Sequence, residues 1–461
     1  MLLLNFNTIL VQKQYKMKTI LLFLLVSFSV FSQNTTEKPQ TEKPQTEVPQ
    51  VEKPQTEKPQ TEVPRVEKSQ TEKPLEDATK TEKIKTDKPL PEKPKFEKLH
   101  TEKFKSVKLG ETKEIAISLP PSYPKSSSEN FPLVIVLDGD YLFDPVNGTL
   151  SYGAYWDDLP EMIVVGINQN DTREDDTEAT LTDGLPTEKG AKFFEFLGGE
   201  LLPYLEKKYR ITPLKFIIGH DLTAGFQNFY LYKDDPIFNG YISLSPNLPN
   251  DAVSRIKNRL SAFKTPFFYY LATADGDTEE AQTAIKELNE SIKTINNPSL
   301  NYLFDDFKET NHYTLVLKAI PNAFYTFFEQ FKPISITEYN NKIEILKEGY
   351  VNYLVNKYDN INKKYGIKAT IRLNDFKAIE AAILKNKAYY ELERLSELAK
   401  KNFPKSMLAN YELGLMYENK IDYKRAAKAY QDASQLEEIG DLTKDMMTQK
   451  TSDMRMLTPK K

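Results

Sequence analysis

The chain has 461 residues, 39% hydrophobic and 28% charged, with 62 basic residues against 66 acidic ones. That near-balance excludes the basic footprint of a nucleic-acid binder, and the absence of cysteine excludes disulfides, a thiol nucleophile and thiolate metal sites. His100, His220 and His312 are the only histidines, too few for a histidine-rich metal centre, so no metal and no cofactor is expected.

In chain order, Lys18 followed by the apolar run Ile20–Phe31, with small Val30 and Ser32 before Gln33, has the form of an export signal over residues 1–32. The pattern begins at Met17, which makes Met17 an alternative start. A membrane span needs about 20 residues, more than this run supplies. An uncleaved anchor is the competing reading, and no later segment is apolar enough to cross a bilayer. The expected location is exported, either periplasmic or at the cell surface and secreted. Residues 33–106 then repeat a unit such as Thr36-Glu37-Lys38-Pro39-Gln40, with proline again at 44, 49, 54, 59, 64 and 74. Regular proline blocks helix, and alternating Glu and Lys keep the backbone solvated, so the expectation is a disordered, extended spacer.

Residues 107–335 alternate strand and helix. Glu114–Leu119 alternates like a half-exposed strand, while Pro132–Leu137 and Met162–Ile167 are short β-branched runs suited to strands buried on both faces. Helix is expected over Glu188–Tyr209, strand over Lys215–Gly219, helix over Leu222–Tyr232 and strand over Gly240–Ser243. Helix Ala252–Ala262, strand Pro266–Ala272, helix Glu279–Ile295, strand Leu300–Phe304 and helix Thr314–Phe331 complete the series. This order predicts an α/β fold, a mostly parallel sheet covered by helices.

Phe216-Ile217-Ile218-Gly219-His220-Asp221-Leu222-Thr223-Ala224-Gly225 runs from an apolar strand through a tight turn into a helix, the setting of a G-x-S-x-G nucleophile elbow. Gly219-His220 before the nucleophile slot, Ser245-Pro246-Asn247 after the next strand and a late histidine resemble the esterase D-like family of α/β-hydrolases, which includes secreted and siderophore esterases. Leu137-Asp138-Gly139-Asp140 and Asn170-Asp171-Thr172-Arg173 resemble that family's early loop and its arginine-bearing loop. The resemblance covers residues 107–335 and implies an α/β-hydrolase fold and a small ester ligand. It places the catalytic slots at Asp221, Asp277 and His312, in the order nucleophile, acid, base, with Asp275 as the alternative acid. It also implies oxyanion-hole amides at Leu222 and in the Gly139–Asp140 region.

The family has serine where this chain has Asp221, and glycine where it has Thr223. A carboxylate attacking an ester would give a reactive anhydride, and a side chain at Thr223 is expected to crowd the Leu222 amide. Asp221 therefore reads in two ways. As a helix N-cap its carboxylate would accept from first-turn amides and serine chemistry would be lost. As a nucleophile it would displace a leaving group from an sp³ carbon, although the single tryptophan, Trp156, leaves no pair of indole donors. Asp277 reads equally as a cap for the helix near Glu279, and His220 as packing. If Asp221 and Asp277 both flank His312, its pKa should rise.

Beyond Pro333 the pattern is helical to the end. Leu413, Gly414, Tyr417, Ala426, Tyr430 and Ala433 fit the small and aromatic positions of a tetratricopeptide repeat of about 34 residues, and Ile379, Leu392, Ala399 and Pro404 fit a preceding one. Residues 336–461 are thus expected to be a helical-repeat module that either offers a groove to a protein or peptide partner or serves as a stabilising cap. The functional expectation is an exported, esterase-like protein with an impaired site, acting in binding or at the cell envelope. The alternative is an active hydrolase, using other residues or using Asp221 with His312 as base.

Overall fold

The computed structural model describes residues 98–180, 184–249 and 251–459. The expected export signal and residues 33–97 of the expected spacer lie outside the described residues. One sheet of eight strands has the order β1-β2-β4-β3-β5-β6-β7-β8. Its members are β1 (Leu99–Lys105), β2 (Thr112–Ser118), β3 (Phe131–Val136), β4 (Ile163–Ile167), β5 (Ile211–His220), β6 (Gly240–Leu244), β7 (Phe267–Ala274) and β8 (Leu300–Phe307). β1 and β2 pair antiparallel with each other, β2 pairs antiparallel with β4, and the remaining pairs are parallel. The α/β expectation holds.

β1 is a correction. Leu99–Lys105 belongs to the sheet, inside the stretch read as spacer, because the last spacer proline is Pro94 and every later residue has an N–H to give to the ladder. Helix α1 (Gly139–Tyr155) is also new: Gly139, Pro145 and Gly148 are poor helix formers and hide the apolar spacing of Leu142, Phe143, Val146 and Leu150, which is buried. α2 (Arg173–Asp176) follows β4. The expected helix Glu188–Tyr209 is present as α3 (Glu188–Glu195), a π turn (Phe196–Leu201) and α4 (Leu202–Lys208). After β5 come α5 (Leu222–Phe226) and α6 (Asn228–Leu231), then α7 (Ala252–Ala262), α8 (Glu279–Lys293) and α9 (Leu315–Phe327).

Because strand side chains alternate in direction, each central strand feeds two cores. Val134, Val136, Phe216, Ile218, Phe268 and Tyr270 face α1 and α9. Leu133, Ile135, Ile217, Tyr241 and Tyr269 face α3, α4, α7 and α8.

The rest of the chain is helical: α10 (Ile336–Glu338), α11 (Tyr350–Tyr365), α12 (Leu373–Lys385), α13 (Glu391–Asn402), α14 (Leu408–Asn419), α15 (Tyr423–Ala433) and α16 (Lys444–Leu457). Gly414 of α14 lets the Tyr430 ring of α15 lie against its backbone, where any Cβ would collide. These helices extend the α1–α9 core rather than forming a separate one. Among the described residues no helix is long and apolar enough to cross a membrane.

Candidate active site

The C-terminal ends of the parallel strands bring the expected residues together. Asp221 sits at the sharp turn from β5 into α5 with φ 57° and ψ −113°, a strained backbone for a residue bearing a side chain. The turn is pinned from three sides. Asp221 N–H donates to Leu244 O (2.9 Å), and Asp221 O accepts from Asn247 N–H (3.0 Å) and Gly225 N–H (3.0 Å). Gly225 has to be glycine because a Cβ would collide with Asn247 O. The turn therefore has the sharp strand-to-helix form of an elbow, with the Asp221 carboxylate at its tip.

That carboxylate caps nothing. Asp221 precedes α5 but makes no side-chain bond to its amides. Instead Arg173 Nη1 reaches Asp221 Oδ2 at 3.4 Å. Arg173 is itself fixed, with Nε donating to Asp138 Oδ1 (2.7 Å) and Nη2 to His220 O (2.8 Å). Asp138, buried in the left-handed region at φ 52°, also accepts from Thr223 Oγ1 (2.5 Å) and Tyr141 (3.1 Å) through Oδ2. Thr223 thus points inward beneath the turn and also accepts from His220 N–H (2.9 Å), so the expected crowding is resolved by burying its hydroxyl in a bonded site.

Of the two candidate acids, Asp277 and not Asp275 lies against His312. Asp277 Oδ1 lies 2.7 Å from His312 Nδ1, and Oδ2 accepts from Ser245 Oγ (2.7 Å), Thr273 Oγ1 (2.8 Å) and Ala274 N–H (2.9 Å). It does not cap α8, whose N-cap is Thr278, accepting from Ala281 N–H (3.2 Å). Asp275 points outward to Lys308 (3.2 Å) and Glu309 N–H (2.9 Å). Burial pushes the Asp277 carboxyl up, but the bonds from His312, Ser245, Ala274 and Thr273 outweigh it and bring its pKa down to about 2.

His312 has its pKa raised by the bond to Asp277; burial opposes this, and the charges of Asp277 and Asp221 add to it, as two flanking carboxylates should. His220 behaves oppositely. Burial, with the neighbouring charge of His312, pushes it down to about 4, so its ring is neutral near pH 7. Its Nε2 donates to His312 O (3.1 Å), its Nδ1 lies 3.1 Å from the Tyr141 hydroxyl, whose single proton is shared between Nδ1 and Asp138 Oδ2, and the two imidazoles lie 4.3 Å apart, centroid to centroid. His220 is therefore a brace for the His312 loop. Gly276 lets that loop approach, since a Cβ there would meet the backbone of Asn311 and His312.

The expected oxyanion donors Leu222, Gly139 and Asp140 occupy the first residues of α5 and α1, where amides have no intrahelical partner. The Asp140 side chain accepts from Gln169 N–H (2.7 Å) and Asn170 N–H (3.0 Å), tying the two loops together. Sequence reasoning did not find the roles of Asp138, Tyr141 and Ser245. Only the Ser-Pro turn after β6 hinted at Ser245. Among the described residues no cluster of three potential metal ligands occurs.

Residues 106–251 match the family model described as "Putative esterase". The chain is similar to an uncharacterised protein of known structure from Capnocytophaga ochracea, 29% identical with a TM-score of 0.70, the match covering 78% of this chain and 99% of that one. It is also similar in fold to an IroE-like serine hydrolase from Shewanella oneidensis, 20% identical with a TM-score of 0.50, over 66% of this chain and 99% of that one. The fold is that of an esterase-type α/β-hydrolase. No curated protein matches the sequence.

Proposed function

We propose that the α/β part of this chain is an esterase-like domain that has given up serine catalysis and acts by binding an ester-type ligand over Asp221 and His312. Asp221 carries the reading: a carboxylate stands on an intact elbow, where the Shewanella protein's name indicates a serine enzyme, and it is paired to Arg173. Its attack on an ester would expel an alkoxide to give an anhydride, a poor exchange of leaving groups. The raised pKa of His312 also keeps the imidazole protonated further up the pH scale, where it is no base. Export through residues 1–32, display on the proline-rich spacer and a tetratricopeptide-like partner surface on α12–α15 complete the proposed envelope role.

A second reading draws support from the 2.7 Å His312–Asp277 bond, which a binding domain does not need. In it Asp221 displaces a leaving group from an sp³ carbon and forms an alkyl ester. Neutral His312 then takes a proton from a water that attacks the Asp221 carbonyl carbon, releasing the alcohol and restoring the carboxylate.

One experiment separates them: hydrolysis of short-chain nitrophenyl esters by the purified protein, by Asp221→Ser and by Asp221→Ser/His312→Ala. The binding reading expects no turnover in the unmodified protein, a gain of about a hundredfold or more in Asp221→Ser, and loss of that gain without His312. Turnover in the unmodified protein that disappears in His312→Ala overturns it. If Asp221→Ser gains nothing, the site is not a disabled serine esterase.

A further inference from the structure

Away from the elbow, an open cavity of about 520 Å³ lies where the 3₁₀ turn Glu329–Phe331, helix α10 and helix α11 meet. It falls within the size range of small-molecule sites, about 300–1,000 Å³, but its chemistry is unusual. No aliphatic residue lines it. Its charges are largely spent on one another or on neighbours: Lys357 Nζ and Glu338 Oε2 are 3.1 Å apart, and Glu329 pairs with Lys332. Lys342 is the one lining cation without an ion pair among the described residues.

What remains is hydrogen-bonding capacity. Asn356 and Asn360 are one turn apart on α11 and share a face, and Asn341 lies on the facing π turn Tyr339–Ile343. Among the described residues none of these three side chains has a hydrogen-bond partner, so each offers its NH₂ donors and its carbonyl oxygen to the cavity. Tyr353 contributes the only aromatic ring. Its hydroxyl is committed to Glu338 Oε1 at 2.8 Å, which fixes the ring.

We propose that this cavity is a binding site for a neutral oligosaccharide. Side-chain amides pair a donor with an acceptor at the spacing that adjacent sugar hydroxyls need, and the anchored Tyr353 ring, packed against the core, adds apolar surface to the lining for the C–H side of a pyranose. Other occupants fit less well. An acyl chain or an apolar peptide side chain finds no aliphatic wall, and an anion would meet Glu329 and Glu338 with only Lys342 uncommitted. The residues of the elbow take no part in the lining, so the site is distinct from the one over Asp221.

The test is calorimetric titration of the full chain with chitotetraose, cellotetraose, xylotetraose and maltotetraose, with an acidic and a proline-rich peptide as controls. At least one sugar should bind saturably. Asn356→Ala/Asn360→Ala, both exposed helix positions that tolerate alanine, should weaken it about tenfold or more with the thermal midpoint unchanged. Asp221→Ser and His312→Ala should leave it unaffected. The proposal is overturned if none of the four sugars titrates, if binding survives the double substitution, if His312→Ala removes it, or if only a peptide binds.

Discussion

At the level of single residues, His312 decides what the elbow can do, and its state is set by two carboxylates of unequal weight. The bond to Asp277 acts first and directly; Asp221 acts through space, partly offset by Arg173. A histidine whose folded pKa is raised adds stability that is complete below its unfolded pKa, about 6.5, and is lost as the pH rises through the folded value. Asp277 works the other way: its pKa of about 2 gives stability present above the ordinary carboxylate range and lost as the pH falls toward that value, on the order of 2 kcal/mol. Following the His312 ring proton by NMR should therefore give a midpoint above about 6.5, falling below it in Asp277→Asn and falling by a smaller step in Asp221→Asn. An Asp221→Asn midpoint equal to that of the unmodified protein would mean the second carboxylate is not felt, and the imidazolium argument against base catalysis would rest on Asp277 alone. The placement of these three residues was legible in the sequence, because a strand–turn–helix around Asp221, an acid after β7 and a histidine after β8 each follow a hydrophobic run. The supporting cast was not. Asp138 and Tyr141 after β3, Arg173 after β4 and Ser245 after β6 converge from three strand ends, and no local pattern records which hydroxyl or guanidinium meets which carboxylate.

At the level of elements the parallel strands were legible because they are continuous apolar runs, whereas β1 and α1 were hidden, the first behind a charged alternating sequence and the second behind Gly and Pro. Helix α14 carries the clearest local conflict. Glu412 is fully buried on it, and neither of its carboxylate oxygens has a hydrogen-bond partner. Burial and the charge of Glu380 on α12 push its pKa well above the usual carboxylate range, only partly relieved by Lys377. The folded state therefore holds a proton that the unfolded chain has already lost above about pH 4.5, so stability falls as the pH rises through that window. Glu412→Gln keeps the shape and removes the titration. It should leave the thermal midpoint near pH 5 almost unchanged and raise stability near pH 8 by on the order of 1–3 kcal/mol. Thermal unfolding of both proteins at the two pH values isolates this residue from His312, which both retain. Equal pH dependence in the two proteins would show that Glu412 finds a partner in solution.

At the level of the whole molecule the helical module and the sheet share one core. The match to the Capnocytophaga protein covers 78% of this chain, more than the α/β part alone can supply, so that protein's likeness extends into the helices. The seam is aromatic. Tyr365 at the end of α11 stacks on Phe328 with centroids 4.7 Å apart and on Phe268 of β7 at 6.0 Å, while its hydroxyl donates to Phe327 O at 2.8 Å. A seam of that kind couples the parts thermodynamically, since neither can unfold without exposing its partner's aromatic face to water. Urea unfolding followed by the fluorescence of Trp156, the only tryptophan and a residue of the α/β part, should coincide with unfolding followed by far-ultraviolet circular dichroism, to which every helix of the module contributes. Tyr365→Ala removes the stacking and the hydroxyl together, and should lower both transitions equally, by about 3–5 kcal/mol. Two transitions in the unmodified protein, or a Tyr365→Ala shift confined to the dichroism, would mean that the module only leans on the sheet, and the cavity at their junction would then open and close with it.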